Sequence, residues 1–530
     1  MGFTEKLDYG TDPNGTKLRS ISTSFRPLVF AKSSPLLIWF CMSKTTPFFD
    51  GFHIATLGRK HRSAGQIMAD ELAVLRQKSF QQLAECFARF IPDHLLRPSA
   101  DKAHSRQRVF SKANTFWAFF SQILDADGGC KEVVRKLQAY LSLNALTLPA
   151  SSTSAYCQAR KKLITEELME IFDHTVRRLD SMPERGVLHG RRVVVVDGTG
   201  VSMPDTPANQ NVWPQQSQQK DGCGFPTARI CACFSLATGG LLSFKTGNKK
   251  SMELPLFRQQ WNIFRKGDIF LGDKGFCSYY DLANLKKLGV DSVITLARRH
   301  PVSASEAKRV IGKNDLLISW PKPVWYKKAA YSREQWEALP ERLDVRQIHV
   351  TVSVPGFRTQ SFYIITTLLD AGQYTAEELA DLYLQRWNAE LFFRDIKTTM
   401  GMDVLRCKSP EMAEKEIIMH FIAYNSIRML MVEAAEEKGV DVNRLSFKGT
   451  LQALRQWEPH LNYARISSRK RNQVLSRLYD AIAENEVPHR PGRSEPRCVK
   501  RRPKAYQLLT KARHLMKEIS HRSKYRAKNP

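Results

Sequence analysis

The sequence predicts an α/β protein, and three changes of pattern predict it. From Met68 to about Asp180 apolar residues recur at three- and four-residue spacing, the mark of amphipathic helices. At Arg191–Gly200 (RRVVVVDGTG) that period gives way to four consecutive valines, the pattern of a strand buried on both faces. Apolar runs then alternate with helical stretches as far as Ala297, and helical spacing returns at Thr375.

A chain of 530 residues is too long for a single core and predicts several domains. Residues 1–67 are rich in Ser, Thr, Pro and Gly without sustained periodicity, the composition of a poorly ordered leader. A start codon assigned too far upstream would account for it. Helical pattern runs through Leu72, Leu75, Phe80, Leu83, Phe87 and Phe90, then through Phe110–Leu124 and Val133–Leu143. Ser151, Ser152, Thr153 and Ser154 offer an N-cap to AYCQARKKL. Gln158, Arg160, Lys161 and Lys162 on that short helix suit either entry into a DNA groove or a solvated face.

Asp197 follows the valines at once, either as a carboxylate at a strand end or as the start of an ordinary Asp-Gly turn. Arg229–Leu236 and Gly240–Phe244, joined at Thr238-Gly239, extend the valine strand into an antiparallel meander. A helix from Ser251 to Phe264 leads to a short strand that ends at Asp273 in GDIFLGDKG, with Asp268 at its opposite end. Helix Tyr279–Leu288 and strand Asp291–Ala297 complete this part. Cys231 and Cys233 point to one face of a strand as packing residues. With ten cysteines and no C-x-x-C pair, neither a zinc ribbon nor a secreted disulfide framework is indicated, so a cytoplasmic setting is expected.

Leu316–Trp320, Val345–Val354 and Ser361–Thr367 carry β-type residues and mark a β-rich insertion. Trp320, Trp325 and Trp336 lie there among Lys322, Lys327 and Lys328. Such interleaving suits either the stacking of an unpaired base, with Trp325 as the candidate, or an ordinary core with a solvated rim. Thr375 and Glu378 form a capping box that opens the next helix.

That helix leads into Tyr383–Lys397 (YLQRWNAELFFRDIK). On a regular α-helix Tyr383, Arg386, Glu390 and Lys397 share an arc of about 60°. A Glu among cations is common on solvated helices. Four such groups beside Leu382, Trp387, Leu391, Phe393 and Ile396 point instead to a site for something anionic. The spacing resembles the Tyr-x2-Arg-x3-Glu-x6-Lys signature of bacterial cut-and-paste transposases of the insertion sequence 4 family.

The resemblance implies an RNase H-like catalytic core with a β-rich insertion, preceded by a helical DNA-binding domain. The expected divisions are a leader at 1–67, the helical domain at 68–185, the core at 186–300 and 374–440, the insertion at 301–373, and a basic helical region at 441–530. Asp197, Asp273 and Glu390 would be the catalytic acids and the ligands of two Mg²⁺ ions, with Mn²⁺ as the alternative. Tyr383, Arg386 and Lys397 would hold DNA, and the reaction would pass through a hairpin. The partners implied are double-stranded transposon ends, target DNA and a second copy of the chain, in a bacterial cytoplasm at the nucleoid.

Charge agrees with a nucleic-acid partner: 81 Lys and Arg against 52 Asp and Glu give +29. The strongly basic stretch after Val487 reads as a phosphate-binding arm or a solvated tail. No apolar run reaches membrane-spanning length; Pro35–Met42 is far too short and lacks a cleavage site. Two rival functions keep the same acids or the same grip: a nuclease that cleaves without joining, and an inactive transposase-derived DNA-binding protein.

Overall fold

The computed structural model describes residues 87, 90–97, 109–125, 127–143, 148–182, 187–248, 253–296, 301–326, 330–352, 360–461, 467–487 and 509–516. The expected leader, the helix beginning at Met68 and most of the basic C-terminal stretch lie outside them.

Among the described residues four α-helices come first: α1 (Lys112–Leu124), α2 (Cys130–Leu143), α3 (Ser154–Lys161) and α4 (Thr165–Asp180). Ser111 caps α1 by accepting the Asn114 amide at 3.2 Å. Phe116, Trp117, Phe119 and Phe120 of α1 are all buried. α3 differs from the sequence expectation. Its N-cap Thr153 makes no side-chain cap bond, and Arg160 is buried rather than presented outward. The Arg160 guanidinium donates to Gln122 Oε1 at 3.0 Å and to Cys130 Sγ at 3.3 Å and lies over the rings of Phe119 and Tyr156. Gln158, Lys161 and Lys162 remain exposed on the helix.

The central layer is built from β1 (Val193–Ser202), β2 (Thr227–Ser235), β3 (Leu241–Gly247), β4 (Ile269–Gly272), β5 (Asp291–Thr295), β6 (Arg309–Gly312), β7 (Asp315–Pro321), β8 (Arg342–Val352) and β9 (Gln360–Thr366). They form one mixed sheet in the order β3-β2-β1-β4-β5-β9-β8-β7-β6. β1, β4 and β5 are parallel neighbours, and the pairs on either side of them are antiparallel. The β-rich insertion therefore continues the same sheet, because β9 pairs with β5 through Val293 and Thr366.

β1 explains how both faces become buried. Val193 and Val195 enter one apolar cluster, and Val194 and Val196 enter the other. The strand does not stop at Asp197, as the Asp-Gly pair suggested. It runs on to Ser202 because β2 pairs with every residue from Val194, including Asp197 with Ala232 and Gly198 with Cys231. Cys231 and Cys233 are both buried in the second cluster, as packing residues.

Between the strands lie α5 (Pro207–Val212), α6 (Glu253–Arg258), α7 (Tyr279–Lys287) and α8 (Arg333–Glu337). The helix expected as far as Phe264 ends at Arg258 and is followed by a 3-10 turn at Trp261–Ile263. After the sheet come α9 (Ala376–Leu384), α10 (Trp387–Arg394), α11 (Pro410–Lys438), α12 (Phe447–Leu461) and α13 (Ser468–Ala483). α11 starts on a proline and ends at Gly439, whose φ of 69° is the left-handed conformation a helix stop favours. It is buried on nearly every side, packed against α1, α4 and α13. Asn425 of α11 completes the β3 edge, accepting the Leu241 amide and donating to the Leu241 carbonyl, each at 2.9 Å. This fastens the helical layer to the sheet.

Candidate active site

Three parallel strands end side by side, and simple alternation decides what they present. Val195 lies opposite Leu271, and Gly272 lies opposite Ile294. Carrying that register forward sets Asp197, Asp273 and Thr295 in one row across β1, β4 and β5. All three share the face of Val195, Leu271 and Val293, which belong to the first apolar cluster. α10 packs against β1, and its Ala389, Phe392 and Phe393 belong to that same cluster. The row thus lies at the carboxyl edge of the sheet where strand order reverses direction, the usual position of a binding crevice in open α/β sheets.

The stretch Tyr383–Lys397 is not one regular helix. Arg386, Asn388 and Ala389 donate three residues back, to Tyr383, Gln385 and Arg386, so the chain is overwound between α9 and α10. Asp395–Thr399 is a π-helical turn, with the Met400 amide on the Asp395 carbonyl five residues earlier. The 60° arc of a straight helix is lost. In its place the side chains spread along the row. Thr295 hydrogen-bonds the Tyr383 hydroxyl. Arg386 donates to Glu390 Oε1 at 3.1 Å. Lys397 Nζ donates to Thr199 Oγ1 at 3.0 Å, back on β1.

Electrostatics link the acids. The Asp197 carboxyl is pushed up to about 6, chiefly by burial. The Gly198 amide, at 2.8 Å, and the field of Arg386 pull it down, while Asp273 and Glu390 push it further up. Burial opposes the charge on Arg386, but the bond to Glu390 and the fields of Tyr383, Asp197 and Glu390 outweigh it and hold the guanidinium above its usual range. Asp273 accepts the Gly275 amide at 2.8 Å. Asp268, at the other end of β4, is a buried ion-pair partner of Arg192 at 2.6 Å.

Three carboxylates are hard oxygen donors of the kind Mg²⁺ takes. Burial makes the Asp197 charge costly and Asp273 and Glu390 add to that cost, which a divalent cation relieves, so the donor set fits such an ion in kind. Among the described residues no three acid, His or Cys side chains are already close enough together to hold one, and Glu390 is turned onto Arg386. Thr295 of the row and Thr199, which hold Tyr383 and Lys397, escaped sequence reasoning. Thr199 could have been found, since it lies two positions beyond Asp197 on the same strand face.

The insertion tryptophans divide. Trp320 and Trp336 are core residues, and the Lys322 ammonium is satisfied by Leu339 O at 3.0 Å, Glu337 O and Glu341. Trp325 is half-buried against the second cluster, the one on the other face from Asp197, beside the exposed Val324 and Tyr326. Lys327 and Lys328 lie outside the described residues.

Comparison with known proteins places the chain among transposases. Residues 188–426 match the family described as transposase DDE domain, and residues 77–173 match insertion element 4 transposase N-terminal. The chain is 27% identical over 417 residues to the transposase InsG for insertion sequence element IS4 of Escherichia coli strain K12, covering 77% of this chain and 89% of that one. It is also 38% identical over 60 residues to the transposase for insertion sequence element IS421 of Escherichia coli, covering 11% of this chain and 16% of the relative.

Proposed function

We propose, for a chain that belongs to the insertion sequence 4 family of DDE transposases, that Asp197, Asp273 and Glu390 are the acids of its active site. The enzyme cuts an insertion sequence out of DNA and joins it to a target. What supports the assignment is the register that sets Asp197 beside Asp273 at the carboxyl edge of β1 and β4, with Glu390 on the helix packed against β1. The strand order β3-β2-β1-β4-β5 supports reading this part as an RNase H-like core, with β6–β9 as its insertion and α1–α4 as the helical DNA-binding region.

Asp197, Asp273 and Glu390 would hold two Mg²⁺ or Mn²⁺ ions, which when bound supply charge stabilisation to an in-line phosphoryl displacement. The protein's own contribution is positional. Arg386 and Lys397 offer a guanidinium and an ammonium to backbone phosphates, and Tyr383 offers a hydroxyl. Before DNA arrives these three groups are held by Glu390, Thr199 and Thr295. Binding exchanges those contacts for phosphate oxygens and frees the Glu390 carboxylate to turn toward Asp197 and Asp273.

Water attacks the phosphorus at the transposon end and releases a 3′-hydroxyl. That hydroxyl attacks the opposite strand, closing a hairpin and expelling the flanking DNA. Water reopens the hairpin, and the 3′-hydroxyl attacks a target phosphodiester, joining the target 5′-phosphate and releasing the target 3′-hydroxyl. Trp325 would stack the base unpaired by the hairpin, and two chains would hold the two ends in a bacterial cytoplasm, at the nucleoid. Purified protein incubated with Mg²⁺, donor-end duplex and target plasmid should yield joined products. Cleavage without joining would favour the nuclease reading, and binding without cleavage the inactive one. Hairpin formation unchanged in Trp325→Ala would remove that residue from the site.

A further inference from the structure

A cavity of about 410 Å³ opens on the flank of the helix that carries Glu390. Arg394 and Asp395 line it from that helix, Arg428 from α11, and Ser446, Lys448 and Arg455 from the start and body of α12. Four cations face one carboxylate. The buried Arg428 guanidinium is fixed in place: Nε donates to the Tyr424 hydroxyl at 3.0 Å, and the group lies 4.7 Å over Phe392 and 5.7 Å over Phe447. Its ion-pair contact to Asp395 is long, at 3.9 Å, and so is that of Arg394. Arg455 is anchored by Nε to the Leu124 carbonyl at 2.7 Å. Arg394 and Lys448 stand exposed at the rim.

A guanidinium kept this dry needs a strong counter-charge, and one carboxylate at 3.9 Å is a weak one. Burial also pushes the Asp395 carboxyl up, which weakens it further as a partner. The cavity is therefore built for an anion brought from outside. We propose that it binds a DNA backbone phosphate, at a second contact distinct from Tyr383, Arg386 and Lys397; this rests on the transposase reading. Position favours a polymer over a free ion. Arg394 is one helical turn from Glu390, about 6 Å of rise, which puts the cavity rim within reach of a strand held at the acids. The exposed rim cations would take its phosphate and Arg428 would supply the fixed charge behind it.

The test compares the full-length parent with an Arg394→Ala/Lys448→Ala double variant, measuring duplex affinity by fluorescence anisotropy across a salt series. The expected result is about a tenfold loss at moderate salt and a salt slope smaller by one to two, as for one or two lost phosphate contacts. A Lys266→Ala/Lys313→Ala variant, which removes two exposed charges elsewhere, should change little. An unchanged affinity and slope, or an equal loss in that control, would overturn the proposal. So would stabilisation of the parent, and not of the double variant, by inorganic phosphate while duplex binding stayed the same, since the cavity would then serve the free ion. Lys448→Glu gives a second reading with a larger expected loss. The outcome is separable from the enzymatic reading: a parent that binds duplex but never cleaves would sink the latter and leave the cavity test standing.

Discussion

The two ends of the parallel strands β1, β4 and β5 carry similar numbers of acids and treat them in opposite ways. At the amino edge Asp180, Asp268 and Asp291 each have a cation. Arg192 binds Asp268 at 2.6 Å and Asp180 at 3.1 Å, Arg265 also reaches Asp180, and Asp291 is held by Arg191 and Lys286 at 2.7 Å each. Burial works against the Asp291 charge, yet those donors win and hold its carboxyl below the usual range. At the carboxyl edge Asp197 is pushed the other way, to about 6, and Arg386 is the cation that opposes the rise. One edge is neutralised from within the chain and serves the fold. The other buries a carboxylate, whose charge is a cost unless something positive arrives.

Substitutions at the two edges should separate these roles. Asp197→Asn, Asp273→Asn or Glu390→Gln should lower DNA-end cleavage by at least about a thousandfold, equivalent to about 4 kcal/mol, with duplex binding retained. Cleavage by any of the three near the parent rate would break the contrast. Arg192→Met should instead act on stability, costing about 3–5 kcal/mol in chemical denaturation by stranding the buried Asp268. A loss under 1 kcal/mol would mean that edge is no more than a surface pair.

Smaller effects sharpen the comparison through pH. The Asp197 carboxyl has a raised folded pKa, so its proton-bound form is favoured by folding. Its contribution is fully present below the ordinary carboxylate value of 3.8 and is lost as pH rises through about 6. In metal-free buffer Asp197→Asn should therefore stabilise the protein at pH 7, by about 3 kcal/mol, and do little at pH values below that ordinary range. Asp291 runs opposite: its contribution is present above the ordinary value and disappears as pH falls further. Thermal melts of parent and variant across pH would show it, and an Asp197→Asn variant less stable at neutral pH would contradict the account. Lys397→Gln should cost least, about tenfold in end-DNA affinity or roughly 1.4 kcal/mol, read in a binding titration. No change there would remove Lys397 from the phosphate grip.

Much of this edge could be read from the sequence, for a physical reason. Four valines followed by Asp, and a short apolar run followed by Asp, announce buried strands with a carboxylate where the strand leaves the core. What resisted reading depends on contacts no local pattern records. Asp197 continues its strand because β2 supplies a partner all the way to Ser202. Tyr383 and Lys397 find Thr295 and Thr199 only because the helix is overwound after Tyr383 and underwound after Arg394, changes that a constant 3.6-residue period cannot express. Arg160 looked like a DNA contact on a basic helix, but Gln122, Cys130 and two aromatic rings from α1, α2 and its own helix enclose it. The insertion looked separate because strand runs do not name their partners, whereas β9 joins it to β5.

The central claim is that Asp197, Asp273 and Glu390 share divalent cations. Anomalous diffraction from crystals of the full chain with donor-end DNA and Mn²⁺ tests it most directly. Peaks bounded by all three carboxylates, with Glu390 turned away from Arg386, are the predicted result. Manganese bound elsewhere, or a Glu390 carboxylate still on Arg386 with no density near Asp197 and Asp273, would contradict it.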